Sequence, residues 1–199
     1  MSVEIEKKVR VPENDFLTVA RQMNEAYGTG GIVRKMDYMY KNTYAEGNKV
    51  LRLRKANNTT WSTTDDGIYE VCSKIKTTAE DGTEVNEEIE TTVRVGDVDT
   101  FKKALENAGL SYHYSKEKSG YEWTIPLKTK GRSFTLHAEL LKVTSDNGYK
   151  DYFLEIEYTG DCSIELTSEF VSGKITEVFT KFGLTDVETK KYVELILGE

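Results

Sequence analysis

Like-charged residues recur in pairs two positions apart along the 199-residue chain. Acidic pairs stand at Glu4/Glu6, Glu88/Glu90 and Glu155/Glu157, and basic pairs at Arg52/Arg54, Lys74/Lys76 and Lys116/Lys118. On a strand, residues i and i+2 share a face and stand ~7 Å apart, close enough for like charges to repel. Carboxylates in that arrangement can share a hard divalent cation, and paired guanidinium or ammonium groups can share the oxygens of a phosphate chain. Metal-assisted phosphoryl chemistry uses both kinds of group together.

The residues between the charges say what must position them. Val3, Ile5, Val9 and Val11 alternate with Glu4, Glu6, Lys8 and Arg10, and Leu51 and Leu53 alternate with the arginines. Val71 and Ile75 flank the first lysine pair, Ile89 separates Glu88 from Glu90, Leu136 and Leu140 bracket His137 and Glu139, and Ile156 separates Glu155 from Glu157. This period of two predicts strands over 3–11, 37–40, 50–55, 69–76, 85–93, 114–118, 121–125, 134–140 and 152–158, with turn-prone segments between them. Helices are expected from Pro12 through Tyr27, after an Asp97 or Asp99 cap, after a Ser168 cap, and over 187–197. Tyr112, Tyr114, Tyr121 and Trp123 read as packing residues of the sheet.

An open sheet would leave its polar face in water, where nothing calls for same-sign pairing. About eight antiparallel strands can instead close on themselves, with the helices covering an apolar outside. The expected fold is therefore α+β: a closed antiparallel eight-stranded β-barrel, a tunnel with a polar, charged lumen and helices packed on the outside. With no Pro-, Gly- or Ser-rich linker, residues 1–199 read as a single domain.

Composition narrows the function. The net charge of -7, 38% hydrophobic and 31% charged residues, and a mean hydropathy of -0.55 describe a globular chain rather than one built to coat duplex nucleic acid. No apolar run approaches a membrane span and no leader pattern opens the chain, so the expectation is a cytoplasmic protein with no membrane partner. Cys72 and Cys162 lack C-x-x-C spacing and read as free thiols; His113 and His137 are too few for a histidine zinc site.

Carboxylates and cations crowded into one bore of reduced dielectric each need neutralising. Mg²⁺ or Mn²⁺ suits the first set and a polyanion the second. A metal-bridged polyphosphate satisfies both.

The motif E-I-E-K-K at 4–8 resembles the ExExK signature of the CYTH superfamily, the triphosphate tunnel metalloenzymes, which include class IV adenylate cyclases, thiamine triphosphatases and inorganic triphosphatases. L-R-L-R at 51–54, Lys76, E-I-E at 88–90, K-E-K at 116–118, E-I-E at 155–157 and K-K-Y-V-E-L-I at 190–196 follow in the family's order. The resemblance implies that Glu4, Glu6, Glu155 and Glu157 hold the metal, joined by Glu139 where the family usually has an aspartate. It implies that Lys8, Arg52, Arg54, Lys76, Lys116 and Lys118 grip the triphosphate, with Lys190 reaching in from a C-terminal helix that plugs one mouth. Lys74 joins the phosphate contacts by its place on the same face, and Arg10, Glu88, Glu90 and His137 stand as surrounding lumen groups. Asn86 replaces an arginine usual in the family, and the hairpin between Glu139 and Glu155 is longer than usual.

The expected activity is metal-dependent hydrolysis of a small triphosphate (inorganic tripolyphosphate, thiamine triphosphate or a nucleoside triphosphate), with Lys8, Glu6 and Glu157 nearest the reacting water. Two alternatives remain open at this point: a class IV adenylate cyclase releasing cyclic AMP and pyrophosphate from ATP, and a protein that binds triphosphates or nucleotides without turnover. A homodimer is also left open.

Overall fold

The computed structural model describes residues 3–42, 50–58, 68–78, 83–128, 133–160 and 167–198. Where the chain alternates it forms strands: β1 (Val3–Arg10), β2 (Gly31–Asn42), β3 (Val50–Asn58), β4 (Ile68–Thr78), β5 (Glu84–Arg94), β6 (Leu110–Lys128), β7 (Ser133–Ser145) and β8 (Lys150–Gly160). The helices are α1 (Phe16–Tyr27), led in by a 3-10 turn at Glu13–Asp15, α2 (Val98–Asn107), α3 (Ser168–Lys181) and α4 (Tyr192–Leu197). All neighbouring strands are antiparallel, in the order β1-β5-β4-β3-β2-β6-β7-β8, and β8 returns to β1 to close the barrel. Eight consecutive register pairs join β1 to β8, from Val3↔Gly160 to Arg10↔Phe153.

The outside is apolar. Ile5 and Val9 of β1, Ile125 of β6, Leu136, Ala138 and Leu140 of β7, and Leu154 and Ile156 of β8 are fully buried against α1 and α3. Even the outward Lys7 is covered, its Nζ donating to Thr176 Oγ1 of α3 at 3.1 Å. On the opposite wall Tyr40, Leu53 and Tyr69 pack beneath Val98, Phe101 and Leu105 of α2. The intervening residues of these strands, which carry the charges, share the inner face.

Three local expectations change. A single 19-residue strand, β6, replaces the two expected over 114–118 and 121–125. Gly120 sits between them, and a Cβ there would lie 1.9 Å from the Leu140 carbonyl oxygen, so the glycine lets β6 continue close against β7 instead of turning. Thr167, not Ser168, caps α3, accepting the Phe170 N–H at 3.2 Å. Of the two caps expected for α2, Asp97 is the one used, which agrees with the expectation. The last helix begins only at Tyr192, because Val187 bridges Val9 and the Glu188 N–H donates to the Lys8 carbonyl at 2.9 Å. Backbone tied to β1 in this way is unavailable for a helix.

Cys72 is a buried free thiol, and Cys162 lies outside the described residues. No helix among the described residues is long and apolar enough to cross a membrane.

Candidate active site

The β1–β8 ladder sets Glu6 directly opposite Glu157 and Lys8 opposite Glu155. Carboxylate oxygens of Glu4, Glu6 and Glu157 all lie within 4.8 Å of one another on the inner wall. Three carboxylates so close and so buried resist ionising together: desolvation, then Glu4, Glu6 and Glu139, push the Glu157 carboxyl up to about 7. A hard divalent cation relieves that repulsion, and an all-oxygen donor set is what Mg²⁺ or Mn²⁺ takes. These three residues fit such an ion.

Cations fill the facing wall. Arg54 holds the fully buried Asp37 with two bonds, Nε to Oδ1 at 2.6 Å and a terminal nitrogen to Oδ2 at 3.0 Å. Lys116 Nζ lies 3.3 Å from the same carboxylate. Burial alone would raise the Asp37 pKa, but Arg54 and Lys116 hold it well below the usual carboxylate range. Arg52 pairs with Glu70 and stands 3.8 Å from Glu90, yet its buried Nε has no hydrogen-bond partner among the described residues. A desolvated guanidinium N–H left unpaired costs about 1–3 kcal/mol, and a phosphate oxygen is an acceptor that would satisfy it. The orphaned donor fits a phosphate ligand.

Glu155, a metal ligand in the expected set, has both of its oxygens engaged by other side chains. Lys118 Nζ donates to its Oε2 at 2.6 Å, and the Tyr192 hydroxyl donates to its Oε1. Glu155 is not among the three carboxylates grouped within 4.8 Å of one another, and it holds Lys118 and Tyr192 instead. Lys190 is exposed, two residues before α4, and from that segment it is the Tyr192 ring that lies among the lumen lysines. The Tyr192 ring has the ammonium groups of Lys118, Lys116 and Lys8 at 4.6, 5.0 and 5.5 Å from its centre.

Glu139 is buried on the inner wall between Lys35, whose Nζ is 2.5 Å away, and His137, whose Nε2 is 3.2 Å away. Burial opposes its ionisation, but His137, Lys35 and Lys118 prevail and lower its pKa to about 2. With Glu122, opposite it in the β6–β7 ladder, Glu139 and His137 form a second group whose ligand atoms lie within 4.8 Å of one another. Glu139 therefore neighbours the first group without being part of it.

The other expected residues are placed as follows. Arg10 sits at the rim, paired with Asp151 and, at 2.7 Å, with Glu188. Glu90 is exposed, with Arg52 at 3.8 Å. Lys74 and Glu88 face each other in the β4–β5 register and Lys76 faces Asn86, but the side chains of Lys74, Lys76 and Glu88 lie outside what the structure describes. Lys35, Asp37, Glu70, Glu122 and Tyr192 had no role assigned from sequence. Trp123 packs outside as expected, donating Nε1–H to Asn24 Oδ1 at 3.0 Å.

No family model and no curated protein matches the sequence. Solved structures do match. The PH1819 protein from Pyrococcus horikoshii OT3 is 19% identical, with a TM-score of 0.70 over 98% of both chains. A candidate adenylate cyclase from Vibrio parahaemolyticus is 20% identical, with a TM-score of 0.60 over 98% of both. HpAC1 from Hippeastrum, described as having a dominant triphosphatase activity, is 13% identical, with a TM-score of 0.61 over 100% of this chain and 97% of its own. Likeness at such low identity establishes architecture alone: the chain shares its fold with these three proteins.

Proposed function

We propose that this protein is a divalent-metal-dependent hydrolase of a small triphosphate held in the barrel lumen. The observation that carries the reading is the opposition, inside one bore, of the Glu4–Glu6–Glu157 group to the cations Lys8, Arg52, Arg54, Lys116 and Lys118. Mg²⁺ or Mn²⁺ held by the three glutamates would supply electrophilic assistance to the phosphoryl oxygens.

The chain's own residues do the rest. Arg52 offers a free donor to a phosphate oxygen, and Lys116 and Lys118 bind the charge that spreads over the oxygens as the terminal phosphoryl group transfers. Lys8, opposite Glu155 and buried, stands between the metal-binding glutamates and the lysine group, where it can orient the attacking water. Asp37 keeps Arg54 extended into the lumen, and Glu155 does the same for Lys118. Burial of the whole set strengthens each of these interactions over its value in water. The substrate in this reading is a free small molecule in the cytoplasm.

The test is a turnover panel with Mg²⁺ and Mn²⁺ over tripolyphosphate, thiamine triphosphate and ATP, with products identified. Orthophosphate released in a metal-dependent reaction supports hydrolysis. Cyclic AMP and pyrophosphate from ATP would replace it with cyclisation, and tight binding without turnover would replace it with capture.

A further inference from the structure

We propose that Tyr192 forms the inner end stop of the phosphate chain and so sets the chain length this protein accepts. The inference rests on the triphosphate reading above and extends it to a residue and a selectivity.

Three observations meet at this side chain. First, its ring is within 4.6 to 5.5 Å of the ammonium groups of Lys118, Lys116 and Lys8, so it borders the phosphate-binding cations directly. Second, the ring is fixed: its hydroxyl donates to Glu155 and its edge meets Phe153 at 5.5 Å and 86°. Third, the lining turns largely apolar there, Arg10 beyond it being engaged by Asp151 and Glu188. Val33, Leu141, Val143 and Phe153 lie on the same strand faces as Lys35, His137, Glu139 and Glu155, yet all four are fully buried and pack with Tyr192 and Leu195 of α4.

Charge and register then place the ligand. Along β1 the order is Glu4, Glu6, Lys8, and along β8 it is Glu157, Glu155, Phe153. Moving inward, a phosphate chain meets the metal-binding glutamates, then the lysines, then an aromatic ring backed by apolar side chains. A phosphate pushed beyond the ring would lose the three lysines and much of its water, and the cation nearest to Phe153, Arg10, is already neutralised by Asp151 and Glu188, so the move is costly for a multiply charged group. The chain must therefore end against Tyr192, and its length is measured from there to the glutamates.

The experiment compares kcat/KM for tripolyphosphate and tetrapolyphosphate with Mn²⁺ in the wild type and in Tyr192→Ala. Removing the ring opens space beside the three lysines, so the tetrapolyphosphate-to-tripolyphosphate ratio should rise by about tenfold or more, while KM for tripolyphosphate also rises. Tyr192→Phe keeps the ring and loses the Glu155 bond; its KM should rise about threefold while the ratio stays within about twofold of wild type. If Tyr192→Ala fails to fold, Tyr192→Val, which retains an apolar contact with Phe153, carries the same expectation. An active wild type whose ratio is unchanged in the Ala or Val variant overturns the end stop, as does an equal loss on both substrates, the mark of a merely structural plug. A wild type inert toward every oligophosphate instead overturns the triphosphate reading, and the end stop with it.

Discussion

Lys116 and Lys118 stand two residues apart on the inner face of β6, and their ammonium groups are perturbed in opposite directions. Burial disfavours the charge on both. For Lys118 the nearby Glu155, Glu6 and Glu139 outweigh that cost and raise its pKa. For Lys116 they do not: Asp37 is already shared with Arg54, Lys118 and the two arginines add repulsion, and its pKa falls to about 7. Two lysines that read alike in sequence thus differ in their surroundings, and in the proposed site one is a fixed charge and the other a charge that a bound phosphate would complete.

Anion affinity should follow. Below pH 7 Lys116 is charged and contributes to tripolyphosphate binding; as the pH climbs past about 7 the free protein loses that charge. Calorimetry on wild type and Lys116→Met should show a large affinity gap at pH 6 that shrinks by pH 9. Stability has its own sign. The folded pKa lies below the unfolded value of 10.5, so between about 7 and 10.5 the unfolded chain binds the extra proton and stability from this site rises with pH. Urea midpoints of Lys116→Met against pH should lack that rise, and a parallel pair of profiles would refute the assignment.

The two glutamates of β8 separate metal binding from lysine placement. Glu157→Gln removes an oxygen from the Glu4–Glu6–Glu157 group and should weaken Mn²⁺ binding, followed by electron paramagnetic resonance, by at least about tenfold, with metal-supported turnover lost. Glu155→Gln leaves that group intact and frees Lys118 and Tyr192. Its Mn²⁺ affinity should stay within about threefold while KM for the triphosphate changes. Equal loss of Mn²⁺ in both variants would return Glu155 to the metal.

How much of this was legible in sequence depends on how local each signal is. The inner faces of β1, β7 and β8 could be read directly, because strict alternation declares which residues share a face and same-sign pairs declare that the face is confined. Asp37 was not legible as the anchor of Arg54 and Lys116. Its role comes from β2 lying between β3 and β6, a register joining Asp37 to residues 17 and 79 positions away. Lys35 and Glu122 were hidden for the same reason, each meaningful only beside Glu139 on β7. In the segment 190–196 the motif marked the right stretch, but whether lysine or tyrosine enters the bore depends on where α4 begins. That start is fixed by hydrogen bonds to β1 which no local pattern announces.

The two arginines of β3 should fail differently. Arg54→Ala leaves Asp37 fully buried without its main partner and should cost about 3–5 kcal/mol of stability, read as a lower denaturant midpoint. Arg52 Nε has no hydrogen-bond partner among the described residues, so Arg52→Ala should give up less stability than Arg54→Ala and should mainly raise KM for the triphosphate. Pairing Arg54→Met with Asp37→Asn should recover part of the lost stability without recovering activity. If Arg54→Ala is as stable as wild type, the Asp37 bond does not organise this wall.

Gly120 tests whether the wall geometry itself matters. It shares the inner face of β6 with Lys118 and Glu122, and it pairs with Leu141 where β6 passes close to β7. Alanine there would place its Cβ 1.9 Å from the Leu140 carbonyl oxygen, a backbone atom that cannot swing aside, so the two strands must part. Forcing atoms into a packed site costs about 1–3 kcal/mol or more, which for a chain of this size lowers the melting temperature by about 5–10 °C. The parting also moves Lys118 of β6 relative to Glu155 of β8, a contact that spans β7, and Glu122 of β6 relative to Glu139 of β7. Turnover of Gly120→Ala measured well below its melting temperature should therefore fall by more than about tenfold, since misplacing binding groups by about 1 Å is enough for a loss of that order. Full activity in a folded Gly120→Ala would mean that the lumen tolerates such a shift, and that the lysines need not be held where β6 now sets them.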